Sequence, residues 1–340
     1  MIYPRVGVLI LNWNGWNDTI ECLESLFQIE YPNYFVILID NGSKDNSIAN
    51  IEQYLREKQE NTQQEGHIPF KQYLHKDGKS IETRIGDMSE SPYLILIKNE
   101  RNYGFAEGNN IGIRYLLDKT DVDYILLLNN DTVVNKCFLD KLINISEESI
   151  GYGFLGPKTY RYVSSNNNNV IDFAGGIVNL WIGKSFHIGI NEIDKGQYNT
   201  KMEVDFVEGS CLLLKREVLE DIGLLDPEYF AYWEEVDLCL RGIKSGYRSI
   251  YVPDSIIWHK VSSSADSQTK IYYMTRNRFM FMKKNASFAQ ILVFFAYIII
   301  LDFWINCYDF ALYKHSPRLL YAFLKGFLDG TKIMLSKNIS

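Results

Sequence analysis

The chain has 340 residues, of which 46% are hydrophobic and 23% charged, and its formal net charge is −7. This composition is typical of a protein that buries a core, and the length allows one large α/β domain, alone or with a C-terminal appendage. The acidic charge argues against a nucleic-acid partner, because a phosphate-backbone binder is expected to present a basic face. The five cysteines form no CxxC pair, which favours reduced thiols and a cytoplasmic protein.

Apolar runs of strand length alternate with helical patterns in the first 150 residues. Strands are predicted over 6–11, 35–39, 93–97 and 124–128, and helices over about 17–27, 43–56, 105–117 and 135–146. Continuous apolar runs are typical of parallel strands that are covered on both faces, and this order indicates a doubly wound α/β sheet. Residues 57–92 are rich in Gln, Glu, Lys and Gly, and we predict a surface insertion there.

From residue 151 the pattern changes to shorter strands and turns. It predicts a polar loop at 166–169, hairpins over 172–190, a helix over 235–245 and a strand over 247–253. We divide the chain into a first domain (1–265), with two halves at 1–131 and 132–265, and a C-terminal helical region (266–340).

The C-terminal region contains an uncharged apolar run from Ser287 to Leu301, followed by Asp302. A membrane-spanning helix needs about 20 apolar residues, so this run is slightly short. A helix at a membrane surface is expected, while a helix buried in the core or in an oligomer interface and a true span remain alternatives. Basic residues that could meet anionic lipid headgroups flank the run: Lys283, Lys284, Lys314, His315, Arg318 and Lys325.

Polar residues follow the first two predicted strands, at the edge where open α/β sheets bind ligands. Asp40 and Asn41 could bond a base edge or a ribose hydroxyl, and the indole of Trp13 could cover a nucleobase. Both segments are also ordinary turn sequences, so a purely structural role remains open. The nucleotide-site candidates at these two strand ends are Leu11, Asn12, Trp13, Asp40, Asn41 and Ser43.

A segment rich in glycine and asparagine, NYGFAEGNNIG at 102–112, enters the third predicted helix. Gly104 and Phe105 begin this helix, and the glycines would let the backbone approach a ligand closely. Asn109 could supply neutral hydrogen bonds. The segment lacks the lysine of a P-loop and the glycine spacing of a dinucleotide fingerprint, and a tight turn is the alternative interpretation.

The strand over 124–128 ends in Asn129-Asn130-Asp131. A diphosphate leaving group needs a divalent ion, and a hard ion prefers carboxylate oxygen. Because Asp131 brings only one full charge, a second protein ligand is expected. His259 is the candidate, and its imidazole would suit Mn²⁺ somewhat better than Mg²⁺.

Three acids, Glu234, Glu235 and Asp237, open the helix predicted at 235–245, directly after an aromatic run that ends at Trp233. Acids in a first helical turn are favourable with the helix dipole, which is the simpler interpretation. An aromatic run that leads into acids also suits a sugar pocket, with Trp233 at the acceptor. One carboxylate could then accept the proton of an acceptor hydroxyl.

Seven motifs in a fixed order make the chain resemble the family 2 glycosyltransferases with the GT-A fold, most closely their rhamnosyltransferase-like branch. They are VLILNWNG, LIDNGSKD, NYGFAEGNN, LLLNNDT, VEGSCLLLKRE, WEEVDLCLR and WHK. The resemblance covers about 6–259 apart from the insertion. It implies a Rossmann-like mixed sheet flanked by helices, and an inverting enzyme that uses a nucleotide-diphosphate sugar with Mg²⁺ or Mn²⁺.

By position, the resemblance implies that Asp40 and Asn41 hold the nucleoside and that Asn109 lies near it. It makes Asp131 a metal ligand, although the DXD-like motif here has one acid instead of two. The residues implied to border the donor sugar, the diphosphate or the acceptor are Asn130, Gly209 and Ser210.

Glu235 stands where many relatives have the aspartate that acts as base, and Asp237 or Glu234 could replace it. The first expectation for the donor is dTDP-rhamnose, and for the acceptor a saccharide or lipid-linked glycan of surface polysaccharide synthesis. The protein would then work at the inner face of the cell membrane. A noncatalytic sugar- or lipid-binding module is the alternative, as is a nucleotidyltransferase, although the first strand end has no basic residue.

Overall fold

The computed structural model describes residues 3–60, 69–76, 79–84, 92–162, 169–260 and 267–336. The α-helices before the apolar C-terminal run are α1 (Trp16–Leu26), α2 (Ser47–Glu60), α3 (Gly104–Lys119), α4 (Phe138–Ser146), α5 (Arg216–Ile222), α6 (Glu234–Lys244) and α7 (Ser267–Asn285). The first seven strands are β1 (Val6–Asn12), β2 (Tyr34–Asp40), β3 (Phe70–Lys76), β4 (Lys79–Arg84), β5 (Leu94–Asn99), β6 (Tyr124–Asn129) and β7 (Thr132–Val134). The others are β8 (Tyr152–Arg161), β9 (Ile171–Phe173), β10 (Gly176–Asn179), β11 (Lys184–His187), β12 (Met202–Val204), β13 (Cys211–Lys215) and β14 (Arg248–His259).

A mixed sheet forms the centre of the molecule, with the order β12-β14-β8-β13-β6-β1-β2-β5-β3-β4. The strands β6, β1, β2, β5 and β3 run parallel, and β13 is antiparallel to both β6 and β8. Side chains of successive residues in β1 enter opposite faces: Leu9 packs in one core cluster, and Val8 and Ile10 in the other. The predicted α/β sheet covered by helices on both faces is therefore confirmed.

The strand register brings the predicted polar ends together. Asn12 at the end of β1 pairs with Asp40 at the end of β2, and Leu11 pairs with Asn129 at the end of β6. His259 ends β14 and pairs with Thr132 of β7, directly after Asp131. Three segments far apart in sequence thus meet at one edge of the sheet.

The predicted surface insertion at 57–92 missed two strands. β3 pairs in parallel with β5, and β4 closes a hairpin against β3 at the edge of the sheet. Phe70 at the start of β3 is fully buried, which anchors this addition to the core. The sequence did not predict β3 because polar residues interrupt its apolar ones, whereas a strand covered on both faces is a continuous apolar run. Residues 61–68, 77–78 and 85–91 of the predicted insertion, and 166–168 of the predicted polar loop, lie outside the described residues.

The apolar run predicted to be too short for a span belongs to a longer helix, Phe288–Tyr313, which we call the apolar helix. Its 26 residues include an 18-residue window with a mean hydropathy of 2.2, of which 17% is buried, so length and composition alone would allow it to cross a membrane. Asp302 does not end the helix, because its carboxylate is buried and paired with Arg278 and Lys184. A last helix (Pro317–Leu335) follows it and packs on α7.

The packing shows no break at the predicted boundary between 265 and 266, as far as the described residues extend. Phe279 and Phe281 of α7 are buried in the same core cluster as α3, α5 and α6. α7 therefore belongs to the same hydrophobic core as these helices. Residues 261–266, which precede α7, lie outside the described residues.

Candidate active site

A cavity of about 680 Å³ opens at the carboxyl edge of β1 and β6. This size is typical of sites for small ligands and cofactors. One wall comes from the strand ends and the start of α3, and the opposite wall from residues 230–232, α7 and the last helix. The predicted site residues that line it are Leu11, Trp13, Asn41, Gly104, Phe105, Asn130 and Asp131.

Asp40 and Asn12 lie behind this wall rather than on it. Both are fully buried, and Asn12 Nδ2 donates to Asp40 Oδ1 over 2.8 Å. Ser43 donates to the same carboxylate through its hydroxyl (2.6 Å) and its backbone N–H (3.0 Å). In this conformation Asp40 joins the ends of β1 and β2, and its predicted contact with the nucleoside remains a prediction.

Asn41 fixes the entry to α3. Its Nδ2 donates to Gly104 O (2.9 Å) and Asn102 Oδ1 (3.1 Å), and its Oδ1 accepts from Asn99 Nδ2 and the backbone N–H of Tyr103. Gly104 has φ +81°, and a Cβ there would lie 2.5 Å from Phe230 O, so only glycine fits without displacement.

Asn109 is buried within α3 and donates to Phe105 O, so it does not line the cavity. The predicted phosphate-cradling segment thus forms one wall of the cavity through its first residues, Gly104 and Phe105.

Asp131 lines the cavity and contacts His259, which is not itself a lining residue. His259 Nε2 lies 3.2 Å from Asp131 Oδ1, and His259 Nδ1 lies 3.1 Å from Asp172 Oδ2. Burial lowers the pKa of His259, but the hydrogen bonds to Asp131 and Asp172 outweigh it and raise that pKa to about 10. The backbone N–H of Lys260 donates to Asp131 O (2.9 Å), which keeps the two segments in register.

Two further acids at this centre, Asp172 and Glu208, were not predicted. One ligand atom each from Asp172, Glu208 and His259 lies within 4.8 Å of the others. Asp172 is on β9, which pairs with β8 beside β14, and Glu208 precedes Gly209 in the motif VEGSCLLLKRE. Glu208 could have been suspected from that motif, whereas nothing in the local sequence distinguishes Asp172.

This donor set fits a divalent ion. The carboxylates of Asp131 and Glu208 and the imidazole of His259 offer mainly hard oxygen ligands with one nitrogen, a combination that suits Mn²⁺. Asp172 also bonds the other ring nitrogen of His259, an arrangement that usually orients a histidine ligand. Because His259 must lose a proton to ligate, an ion and that proton compete for the same nitrogen.

Glu234 and Glu235 are neighbouring buried acids at the start of α6. The Oε2 atoms of both are buried and have no hydrogen-bond partner among the described residues. Burial raises the pKa of Glu235 to about 7, and Glu208 adds to the increase. Burial and the charge of Glu235 raise the pKa of Glu234 well above its ordinary value. Glu235 is therefore the acid of this pair that ionises near neutral pH.

Glu235 approaches the cavity beside Gly209. A Cβ on Gly209 would lie 3.4 Å from the ring of Phe105 and 3.9 Å from the Cβ of Glu235. Gly209 thus lies between Phe105, which lines the cavity, and Glu235. Ser210 is buried next to it, where its hydroxyl donates to Glu208 Oε2 (3.1 Å) and its carbonyl accepts from the N–H of Asn129.

Asp237 has a different role from Glu235. Its Oδ2 accepts from Arg241 Nε (2.9 Å), and its Oδ1 accepts from Asn285 Nδ2 (2.8 Å) and more weakly from Tyr229 (3.3 Å). The carboxylate is buried and ties α6 to α7. These bonds favour a structural role for Asp237, and its alternative role as the base remains a prediction.

Trp233 lies away from the main cavity. It lines a second cavity of about 280 Å³ and packs on Phe281, with ring centroids 4.7 Å apart. Its indole Nε1 is buried and has no hydrogen-bond partner among the described residues. Its predicted contact with the acceptor remains a prediction.

Comparison with known proteins places this fold and site in a family. A model of the family described as glycosyltransferase like family 2 matches residues 4–281. The chain belongs to this glycosyltransferase family. The matched range includes Asp131, Asp172, Glu208 and His259. It also includes most of α7, in agreement with the packing of α7 on the core.

Relatives of this family 2 glycosyltransferase include the low-salt glycan biosynthesis hexosyltransferase Agl10 of Haloferax volcanii, which is 29% identical over 56% of this chain and 59% of its own. Rhamnosyltransferase WbbL of Escherichia coli is 32% identical over 44% and 58%. The dTDP-rhamnosyl transferase RfbF of Shigella flexneri is 24% identical over 61% and 68%. The chain thus aligns with about three fifths of the first two relatives.

The fold is also found in solved structures. The mannosyltransferase PcManGT from Pyrobaculum calidifontis, in complex with GDP-Man and Mn²⁺, matches 98% of this glycosyltransferase and 88% of its own chain. The TM-score is 0.55 and the identity 12%, a likeness that establishes a GT-A fold and no more.

Proposed function

We propose that the protein is an inverting, metal-dependent glycosyltransferase. In this proposal it transfers a sugar from a nucleoside diphosphate to a hydroxyl of a saccharide or lipid-linked glycan, in surface polysaccharide synthesis. The observation that carries the proposal is the approach of three groups to one cavity. These are the ends of β1 and β6, which line it, Asp131, which lines it and contacts His259, and Glu235, which is separated from the lining residue Phe105 by Gly209.

The residues of the chain divide the work as follows. Trp13 and Asn41 bind the nucleoside side of the donor, and Asp131, His259 and Glu208 would hold Mg²⁺ or Mn²⁺, with Asp172 orienting the imidazole. The bound ion would offset the charge of the departing diphosphate.

Glu235 takes the proton of the acceptor hydroxyl as that oxygen attacks the anomeric carbon. The bond to the diphosphate oxygen breaks on the opposite side, which inverts the configuration. General base catalysis by such a group typically contributes about 10²–10⁴-fold.

Rhamnose from dTDP-rhamnose is our first choice of donor, supported by the names of the relatives WbbL and RfbF. A thermal-shift screen of dTDP, UDP and GDP with and without Mn²⁺ tests the donor site, because a ligand of the folded state raises its stability by about 2.7 kcal/mol at a hundredfold excess over Kd. Metal-dependent stabilisation by one of these nucleotides is expected. Absence of stabilisation by any nucleotide would favour the alternative, a noncatalytic binding module.

We also propose that the apolar helix holds the enzyme at the inner face of the cell membrane. Its exposed side chains form a continuous apolar surface that includes Phe288 (76% exposed), Ile300 (75%) and Trp304 (63%). Lys314 and Arg318 follow its end, where anionic headgroups would attract them. This placement would keep the cavity beside a lipid-linked acceptor; a second copy of the chain on the same surface is the alternative.

A further inference from the structure

Three residues between the 3₁₀ turn Pro227–Tyr229 and α6 have a left-handed backbone. Phe230, Tyr232 and Trp233 have φ values of 65°, 69° and 80°. Residues with a Cβ rarely adopt such angles, and this strained conformation persists only where surrounding contacts enforce it. We call residues 229–233 the strained loop.

The strained loop connects the two sides of the active site. Phe230 O accepts from the backbone N–H groups of Phe105 (2.6 Å) and Ala106 (3.1 Å), in the first turn of α3. Residues 230–232 line the cavity, and Trp233 is the residue that caps α6 immediately before Glu234 and Glu235. Any movement of this loop would therefore displace both the donor wall and the carboxylate proposed as base.

Asn277 of α7 holds the strained loop from behind. It is fully buried, and its Nδ2 lies 2.9 Å from Tyr229 O and 2.8 Å from both Ala231 O and Tyr232 O. An amide has two N–H bonds, so one of them is shared between two carbonyls. Asn277 Oδ1 accepts from Arg276 Nε (2.8 Å), which orients the amide with its NH₂ group toward the loop.

Arg276 adds a second attachment. Its Nη2 donates to Tyr229 O (2.9 Å) and Glu228 O (2.7 Å). Tyr273, one turn earlier, stacks on the ring of Phe230 at 5.0 Å and 15°. Arg276 and Asn277 thus donate to the backbone carbonyls of 228, 229, 231 and 232, and Tyr273 packs on the loop.

We propose that Asn277 is a positioning residue for the transfer reaction: it acts through the strained loop on Glu235, and it touches neither substrate. The proposal rests on the proposed function for its kinetic part and on the described contacts alone for its structural part. It predicts that loss of this amide lowers the rate of transfer more than it weakens nucleotide binding.

The test compares Asn277→Ala with Asn285→Ala. Asn285 is on the same helix and ties α7 to Asp237, but it has no hydrogen bond to the strained loop in the described residues. For Asn277→Ala we expect kcat to fall by about 10²-fold with a donor KM within about threefold, since misplacement of a reacting group by about 1 Å costs that much. Asn285→Ala should keep kcat within about threefold at a similar loss of Tm. Equal losses of kcat in the two variants would overturn the proposal, as would normal kcat in Asn277→Ala.

Hydrogen exchange supplies a readout that needs no activity. In Asn277→Ala the amides of Phe105 and Ala106 and those of 229–236 should exchange faster than in the wild type, whereas in Asn285→Ala they should not. If Asn277→Ala fails to fold, Arg276→Ala is the substitute, because Arg276 is partly exposed and donates to Glu228 O and Tyr229 O. This variant should show the same increases in amide exchange, but smaller ones. Unchanged exchange of the Phe105 and Ala106 amides in Asn277→Ala would overturn the positioning role. If the wild type shows no transfer activity but Asn277→Ala shows the expected exchange, only the proposed function is rejected.

Discussion

Replacement of Glu235 by glutamine tests the proposed base most directly. Glutamine keeps the shape of the side chain but cannot accept the proton, so kcat should fall by roughly 10²–10⁴-fold. Nucleotide binding should persist, because Trp13 and Asn41 line the cavity whereas Glu235 does not. Glu234→Gln is the matched control. Because burial raises the pKa of Glu234 and keeps its carboxyl group protonated, replacing that group by an amide should change kcat far less.

The raised pKa gives this prediction a characteristic pH dependence. With a pKa of about 7, Glu235 is roughly one tenth ionised at pH 6 and nine tenths ionised at pH 8, so the rate should rise about tenfold over that interval. A glutamate with an ordinary pKa would be almost fully ionised at both values and would give a nearly flat profile. Measuring transfer at several pH values with saturating donor and acceptor distinguishes the two cases.

As the pH rises, the free energy of unfolding should fall while the rate of transfer increases. Because the folded-state pKa of Glu235 is raised, its contribution to the free energy of unfolding is fully present below about pH 4.3 and is lost as the pH rises through about 7. Glu235→Gln removes that loss, so at pH 8 the variant should be at least as stable as the wild type. A variant with normal kcat, or a flat pH profile in the wild type, would refute Glu235 as the base.

Three further predictions follow from the site and the apolar helix. Asp131→Asn should abolish the Mn²⁺-dependent thermal shift with nucleotide, and a preserved shift would remove Asp131 from the ligand set. Asp172→Asn should weaken Mn²⁺ binding by about 10–100-fold in a titration, whereas unchanged affinity would contradict its orienting role. The double substitution Ile300→Lys and Trp304→Lys should lower flotation with anionic vesicles by about 10²-fold; equal loss in the exposed control Ile193→Lys would exclude a specific surface.

The nucleotide-facing half of the site was predictable because it depends on local patterns. The apolar runs that end at Leu11 and Leu128 identify parallel strands without reference to the rest of the chain. Parallel strands then bring their carboxyl ends to one edge of the sheet. The same logic could not separate Asp40, which joins two strands, from Asn41, which lines the cavity, because burial at a strand end depends on the neighbouring loop.

The remaining site residues depend on contacts between distant segments. Asp172 reaches His259 only because β9 pairs with β8 next to β14, and no local pattern encodes that arrangement. The three acids of α6 differ through their surroundings: Asp237 meets Arg241 one turn later and Asn285 of α7, while Glu235 meets neither. The i,i+4 spacing of Asp237 and Arg241 is a local signal from which this ion pair could have been suspected.

The attachment of α7 to the strained loop has a consequence for protein engineering. Exchanging acceptor specificity between relatives invites recombination at the end of the last strand, near residue 260, where the sheet is complete. A crossover there would combine residues 229–233 from one parent with Asn277 from another, and the three carbonyl contacts would depend on a match that neither parent was selected to make. Chimeras should therefore inherit 229–285 as one block, with the joint placed between α7 and the apolar helix.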